Sequence, residues 1–496
     1  MKRSAGILLS ISSLPSDYGI GCFSKEAYIF ADWLKKSGQS YWQILPLCPT
    51  SYGDSPYQSF STFAGNPNYI DLETLISEGL LTEAECREYD FGSEAAKVDY
   101  EKLYKNRFPL LKKAFKRSSL SEKIKYKKFI ADNSFWLENY ALFMAVKEHF
   151  GGVAWNEWDS DIRNREQSAM EHYREKLADE IEFHRFLQYE FYVQWDKLKR
   201  YINKNNIEII GDIPIYVAYD SADVWADPQL FRLDCNNIPI AVAGCPPDGF
   251  SELGQLWGNP IYDWNYHEKN GYKWWIERLR YCFKLYDIVR IDHFRGFDEY
   301  YSIPFGSENA INGSWEKGPG TKLFEAVEKA IGKKKYIAED LGFVTESVRR
   351  LVKSCGFPNM KVLEFAFDSR DTGNSSEYLP HNYNSNCVAY TGTHDNQTLK
   401  SWYKTISDDE KQLVREYLCD FYTPDEELNT SLIALIMRSC ADIVIIPMQD
   451  HLGLDDESRM NTPSTIGNNW KWRMTSDDLS EQLCRKIGNM TRLYSR

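Results

Sequence analysis

The chain has no CxxC pair and none of the HxH, HExxH or DxDxDG spacings that gather ligands around a metal ion. Its eleven cysteines are odd in number and scattered, several in apolar surroundings (Cys282, Cys355, Cys387, Cys440). They read as reduced core thiols, not as a disulfide framework or a zinc site. No apolar run approaches the ~20 residues of a spanning helix. Met1-Lys2-Arg3-Ser4 leads into a strand pattern without the apolar core of a signal peptide, so a cytoplasmic protein is expected. Excess positive charge is missing too: 59 Lys and Arg against 72 Asp and Glu leave a net charge of −13, which argues against nucleic acid or an anionic membrane as partner. The one basic stretch, 105–128, contains Arg107, Lys112, Lys116 and Lys125, interleaved with Phe108, Leu111 and Phe115, and reads as the solvated side of helices. Internal repeats and low-complexity segments are absent.

What the chain has in excess is aromatic surface, 15 Trp, 32 Tyr and 26 Phe. Part of it fills a core. The rest suits a ligand with apolar faces and polar edges, such as a sugar ring. Short strand patterns fall at 7–12, 41–47, 207–216, 287–292, 336–340, 360–367, 387–393 and 442–448. Several are apolar on both faces, as in a parallel sheet covered by helices. Helical periodicity lies between most of them, at 23–37, 272–284, 323–331, 345–355, 408–420 and 426–439. This alternation predicts an α/β fold, a single (β/α)8 TIM barrel over 1–496. Two stretches are too long for loops. Residues 71–200 read as a mainly helical insertion, with stripes at Trp136, Tyr140, Phe143 and Lys147 and at Phe183, Leu187, Phe191 and Trp195. Residues 218–271, rich in Pro, Gly, Asn and Trp, read as loops over the barrel mouth.

Four strand patterns end in ionisable residues: Asp212, Asp292-His293, Glu339-Asp340 and His394-Asp395. In a barrel such ends project into the mouth where chemistry occurs. Side chains alternate along a strand, so Val289 and Ile291 share one face and Arg290 and Asp292 the other. A guanidinium beside Asp292 favours the ionised carboxylate that a nucleophile or electrostatic stabiliser requires. Glu339 and Asp340 must point to opposite faces, and parity does not say which enters the site. His394 can donate to a substrate hydroxyl. Carboxylates with aromatic platforms, and no metal or cofactor, suggest glycosidic-bond chemistry, in which one acid attacks the anomeric carbon and another protonates the leaving oxygen.

The segments Gly53-Asp54-Ser55-Pro56-Tyr57-Gln58, Gly65-Asn66-Pro67, Gly211-Asp212-Ile213-Pro214, Arg290-Ile291-Asp292-His293, Ala338-Glu339-Asp340-Leu341-Gly342 and Gly392-Thr393-His394-Asp395-Asn396 occur in this order. Together they resemble the 4-α-glucanotransferases, the amylomaltase or disproportionating-enzyme family, relatives of the α-amylases. The resemblance runs from Ser4 nearly to the C-terminus. It implies Asp292 as nucleophile, Glu339 as general acid/base and Asp395 as the carboxylate that holds sugar hydroxyls. It further implies Tyr57, Ser55, Asp212, Arg290 and His394 around the scissile sugar, Trp257 and Phe365 on the acceptor side, and Asn461 from a second loop. The segment from Gly244 to Pro260 resembles the family's covering loop. Gly249 and Ser464 depart from the family pattern, where an aromatic and a glycine are common.

The activity so implied is transfer of an α-1,4-glucan segment, from a maltooligosaccharide or amylose, to the 4-hydroxyl of an acceptor glucose or glucan. The nearest competing expectation is an α-amylase-type hydrolase on the same barrel. For this chain no cofactor, metal, nucleic acid or membrane is expected.

Overall fold

The computed structural model describes residues 2–247, 251–342, 344–369 and 375–496. Eight parallel strands close a barrel: β1 (Ser4–Leu8), β2 (Tyr41–Gln43), β3 (Glu208–Ile213), β4 (Ile288–Ile291), β5 (Tyr336–Ala338), β6 (Asn359–Val362), β7 (Cys387–Tyr390) and β8 (Ile443–Pro447). They pair in chain order, and β8 returns to β1 with Ser4 opposite Ile443. Each observed strand lies in or against a stretch expected from the sequence, but most stop earlier. Expected strand 360–367, for example, pairs only through Val362, and Leu363–Phe365 turns as a 3-10 helix into the mouth.

The covering helices coincide with the periodic stretches to within a few residues: Lys25–Lys36, Lys273–Leu285, Thr321–Ile331, Glu346–Cys355, Asp408–Leu418 and Asn429–Met437. Two of their starts are set by side chains that accept otherwise unpaired backbone N–H groups. Thr345 caps through Val348 N–H, and Ser407 and Glu410 form a reciprocal capping box.

Between β2 and β3 the chain makes the long helices Tyr100–Arg117, Ile124–His149 and Ala178–Lys204. Trp136, Tyr140, Phe143 and Lys147 are buried on one, and Phe183, Leu187, Phe191 and Trp195 on another. Position 200 falls inside Ala178–Lys204, which packs against Lys25–Lys36 and delivers the chain to β3. The buried Lys147 ammonium keeps its charge partner, Nζ lying 2.5 Å from Asp220 Oδ2. Within the basic stretch Arg107 corrects the expectation of a solvated face. It is fully buried and donates to the carbonyls of Tyr18 and Ile70.

Residues 218–271 hold more regular structure than loops. Strands Ala241–Cys245 and Gln255–Pro260 join Glu299–Pro304 and Ser314–Lys317 in a separate antiparallel sheet. All eleven cysteines are free, but Cys440 is exposed and Cys355 half-buried, so these two are not core thiols. Among the described residues no helix is long and apolar enough to cross a membrane.

Candidate active site

β3, β4 and β5 carry the centre of the site because their register places ionisable residues side by side. Asp212 is the cross-strand partner of Arg290, and Ile291 that of Ala338. Gly211 makes the first pairing possible: a Cβ there would come within 2.1 Å of the Tyr286 ring, so any other residue would push β3 off its neighbour. The ladder continues one step past the strand ends. Asp292 N–H donates to Ile213 O at 2.9 Å and Glu339 N–H to Ile291 O at 3.1 Å, so these two acids leave adjacent strands at matching height.

Strand parity holds at β4. Val289 and Ile291 are fully buried in the wall, while Arg290 and Asp292 share the other face. Arg290 Nη1 lies 2.6 Å from Asp212 Oδ2 and 3.1 Å from Asp292 Oδ1. Geometry also separates the two acids that parity could not. Glu339 lines the central cavity, whereas buried Asp340 accepts the Met360 N–H of β6 at 3.0 Å. Glu339 in turn accepts N–H groups from His293 (2.6 Å, Oε2) and Leu341 (2.9 Å, Oε1). His293 adopts φ 50°, a left-handed conformation uncommon for a residue with a side chain, and this turn aims its N–H at Glu339.

Asp395 belongs to the turn after β7. Its Oδ1 accepts Asn461 Nδ2–H at 2.6 Å, and its Oδ2 lies 3.3 Å from His394 Nε2. Tyr57 stacks on His394, with ring centroids 5.0 Å apart and planes 14° from parallel, and donates its hydroxyl to Asp212 at 2.9 Å. Ser55 acts one step away: its Oγ accepts the Tyr57 N–H at 3.2 Å.

Asp292, Glu339, Asp395, Arg290, Trp257 and Phe365 line one cavity of about 1300 Å³. Ser55, Tyr57, Asp212, His394 and Asn461 are not among its lining residues: Asp212 bonds Arg290, His394 and Asn461 contact Asp395, and Tyr57 sits behind Asp212 and His394. Cys245, Pro246, Pro247 and Ser251 from the Gly244–Pro260 segment also line it, whereas Gly249 lies outside the described residues. Ser464, also lining, sits at φ 62°, which explains in backbone terms why glycine suits that position. Glu364, Arg295, Trp315, Asn396 and Arg459 line the cavity as well and were not singled out from the sequence. Glu364 falls inside the expected strand 360–367, so the strand-end rule passes over it. Trp315 gave no local signal.

The electrostatics follow from crowding acids in a confined space. Burial first, then Glu339, Asp212 and Asp395, raise Asp292 well above the ordinary carboxylate range, against the opposing pull of Arg290. Glu339 is raised too, by burial and Asp395, while Arg290 and the Leu341 and His293 N–H groups oppose the rise. The two acids therefore titrate as a pair that resists carrying two charges. Burial lowers His394, against the pull of Asp395, and leaves a neutral imidazole. Among the described residues no group of three or more His, Cys, Asp or Glu side chains is arranged to hold a metal ion.

Comparison with known proteins agrees with this geometry. The family model described as 4-alpha-glucanotransferase matches residues 9–479. The 4-alpha-glucanotransferase of Streptococcus pneumoniae is 53% identical over 500 residues, covering 100% of this chain and 98% of that one. That of Clostridium butyricum is 48% identical, covering 98% and 100%. The structure of amylomaltase from Streptococcus agalactiae in complex with acarbose superposes with a TM-score of 0.96 at 43% identity, covering 100% of both chains. Amylomaltase from Corynebacterium glutamicum, at 18% identity and TM-score 0.78, shares the fold over 99% of this chain and 75% of that one. A match that spans the barrel and all its loops, joined to acids meeting at the mouth, leaves one assignment: the chain belongs to the 4-α-glucanotransferase family.

Proposed function

We propose that the chain transfers α-1,4-glucan segments by retaining double displacement, with Asp292 as nucleophile, Glu339 as general acid/base and Asp395 as the carboxylate that binds sugar hydroxyls. The observation that carries this reading is the single cavity lined by all three acids. Neighbouring strands lie ~4.8 Å apart, and retention calls for carboxyl groups ~5 Å apart, so acids at matching height on adjacent strands suit it. The acarbose held by the Streptococcus agalactiae relative supports an α-glucan as substrate class.

In the first half-reaction the Asp292 carboxylate attacks the anomeric carbon and forms a β-glucosyl ester. Glu339 gives its proton to the departing glycosidic oxygen, releasing the first glucan. In the second, Glu339 takes the proton of an acceptor 4-hydroxyl, which attacks the ester and restores an α-1,4 bond. Arg290, touching Asp292 directly, favours its charge. The two N–H bonds to Glu339 favour charge there instead, but each takes one lone pair of its oxygen and leaves the other free to carry the proton that the glycosidic oxygen receives.

Transfer demands that the acceptor outcompete water at the ester. Trp257, packed edge-on against His293 at 4.8 Å, and Phe365 give the acceptor apolar surfaces. Glucose and glucans are the acceptors proposed. Incubation with maltotriose tests this: glucose and longer maltooligosaccharides should appear at nearly constant reducing ends. A steady gain of reducing ends would instead mark an α-amylase-type hydrolase.

A further inference from the structure

We propose that Trp315 is a sugar platform on the acceptor side of the cavity, and that it favours glucan acceptors of more than one glucose unit. The inference rests on the proposed transfer reaction and deepens it by naming what sets acceptor length.

Trp315 lies on strand Ser314–Lys317, at the edge of the antiparallel sheet, and lines the central cavity while 38% exposed. A tryptophan left open to solvent forgoes much of the gain that burial of its large ring would bring. The sheet does not need it for packing, because its own core is closed by Val242, Tyr301, Ile303 and Ala310. The ring is nevertheless held in place. Arg295, itself buried, sets its guanidinium carbon 3.9 Å from the Trp315 ring centroid. Tyr301, the cross-strand partner, meets the ring at 5.1 Å and 62°, and its hydroxyl donates to Ala310 O at 3.0 Å. The next residue along the strand, Glu316, accepts from Arg232 Nη1 at 2.6 Å and from the Tyr300 hydroxyl at 3.1 Å. A register slip, which would turn Trp315 away from the cavity, would break both of these bonds. An aromatic ring fixed before the ligand arrives, and still partly open, binds the apolar face of a pyranose at little cost in ordering.

Placement gives the side of the scissile bond. The turn after β4 anchors both tryptophans: Trp257 packs edge-on against His293 at 4.8 Å, and Trp315 stacks on Arg295, two residues further on. His293 N–H also donates to Glu339 at 2.6 Å, and Glu339 is the group that meets first the leaving and then the accepting oxygen. One wall therefore runs from Glu339 past Trp257 to Trp315. The first acceptor sugar takes the Trp257 end, and a second or third sugar reaches Trp315. The cavity, at about 1300 Å³, exceeds the ~300–1,000 Å³ of a drug-sized ligand's site and has room for several sugar units.

The experiment uses α-maltotriosyl fluoride, blocked at its non-reducing 4-hydroxyl so that it cannot accept, as donor, with glucose or maltotriose as acceptor. Acceptor KM and kcat are measured for the parent, Trp315→Ala, Trp315→Leu and Trp315→Phe. In the parent KM should be lower for maltotriose than for glucose. W315A should raise KM for maltotriose by about 10-fold, the scale of one lost ring contact, and leave glucose within about twofold of the parent. W315L keeps apolar bulk without a flat ring, so it should behave like W315A and carries the test where alanine disturbs folding. W315F should keep most of the parent's preference. Equal changes for the two acceptors would mark Trp315 as a merely structural residue and overturn the proposal. Parent-like KM values in W315A and W315L, or a W315F as impaired as W315A, would overturn it as well. A parent that transfers to neither acceptor would instead bring down the proposed function, and this inference with it.

Discussion

Arg290 and Asp292 leave the same face of one strand, and the guanidinium Nη1 comes to rest 3.1 Å from the carboxylate Oδ1. The same nitrogen lies 2.6 Å from Asp212, so one group holds two acids in register. Lysine keeps the charge but presents it as a point at the end of a flexible stem, without the planar fork. Arg290→Lys should therefore lower kcat by about 10²-fold or more, the cost of displacing a reacting group by about 1 Å. Steady-state kinetics with maltotriose reads this, and a variant within twofold of the parent contradicts the role.

Asp212 and Arg290 form a pair with almost no side-chain exposure, 0% and 3%. Removing Asp212 leaves the buried guanidinium with Asp292 as its one ion-pair partner among the described residues, a loss of up to about 3–5 kcal/mol. Asp212→Ala should unfold at a distinctly lower temperature than the parent, even where substrate protects it. Unchanged thermal unfolding would mean that the pair is solvated.

Asp292 links activity to stability with opposite signs. Its raised carboxyl keeps, in the folded state, a proton that the unfolded chain releases near pH ~4. The stability this group contributes is therefore complete below that pH and falls as pH rises towards the folded value. Asparagine does not ionise. Asp292→Asn should lose transfer by at least ~10³-fold, since covalent catalysis disappears, and yet gain heat stability over the parent by a margin that widens with pH. Thermal melts from about pH 5 to about pH 8 check the sign; a margin that shrinks with pH contradicts the raised carboxyl.

Trp257 lines the same cavity as the three acids, and the proposed mechanism gives it the acceptor side. Trp257→Ala should leave ester formation within a few-fold of the parent and shift the ratio of transfer to hydrolysis towards water, by about 10-fold for one lost aromatic contact of 1–2 kcal/mol. Products from a single maltotriose reaction give both rates, and equal losses in the two would refute an acceptor role.

Much of this was legible in the residues because barrel strands are local objects. Apolar runs such as Ile288–Ile291 and Ile443–Pro447 announce buried strands, and their charged ends announce the mouth. Strand ends were read too long where the chain leaves the ladder to form the site, as at Leu363–Phe365, because backbone departure is set by tertiary contacts and not by apolar character. Strand parity leaves the choice between Glu339 and Asp340 to the family resemblance for the same reason: it depends on which acid meets the Met360 N–H of the next strand. The antiparallel sheet was missed because Ala241–Cys245 pairs with Glu299–Pro304, far along the chain, and its local composition reads as turns. Glu364 escaped notice because it lies inside the expected strand 360–367, and only the turn at Leu363–Phe365 brings it to the cavity.

All of these expectations descend from the claim that Asp292 and Glu339 act on the same anomeric carbon. Treating the Glu339→Gln enzyme with a slow fluorinated α-glucosyl fluoride, quenching in acid and mapping peptides by mass spectrometry tests it at the atom concerned. One glucosyl unit should be found on the peptide bearing Asp292. A label on Asp395 or Asp212 instead, or turnover with Asp292 never modified, would remove the basis of the mechanism.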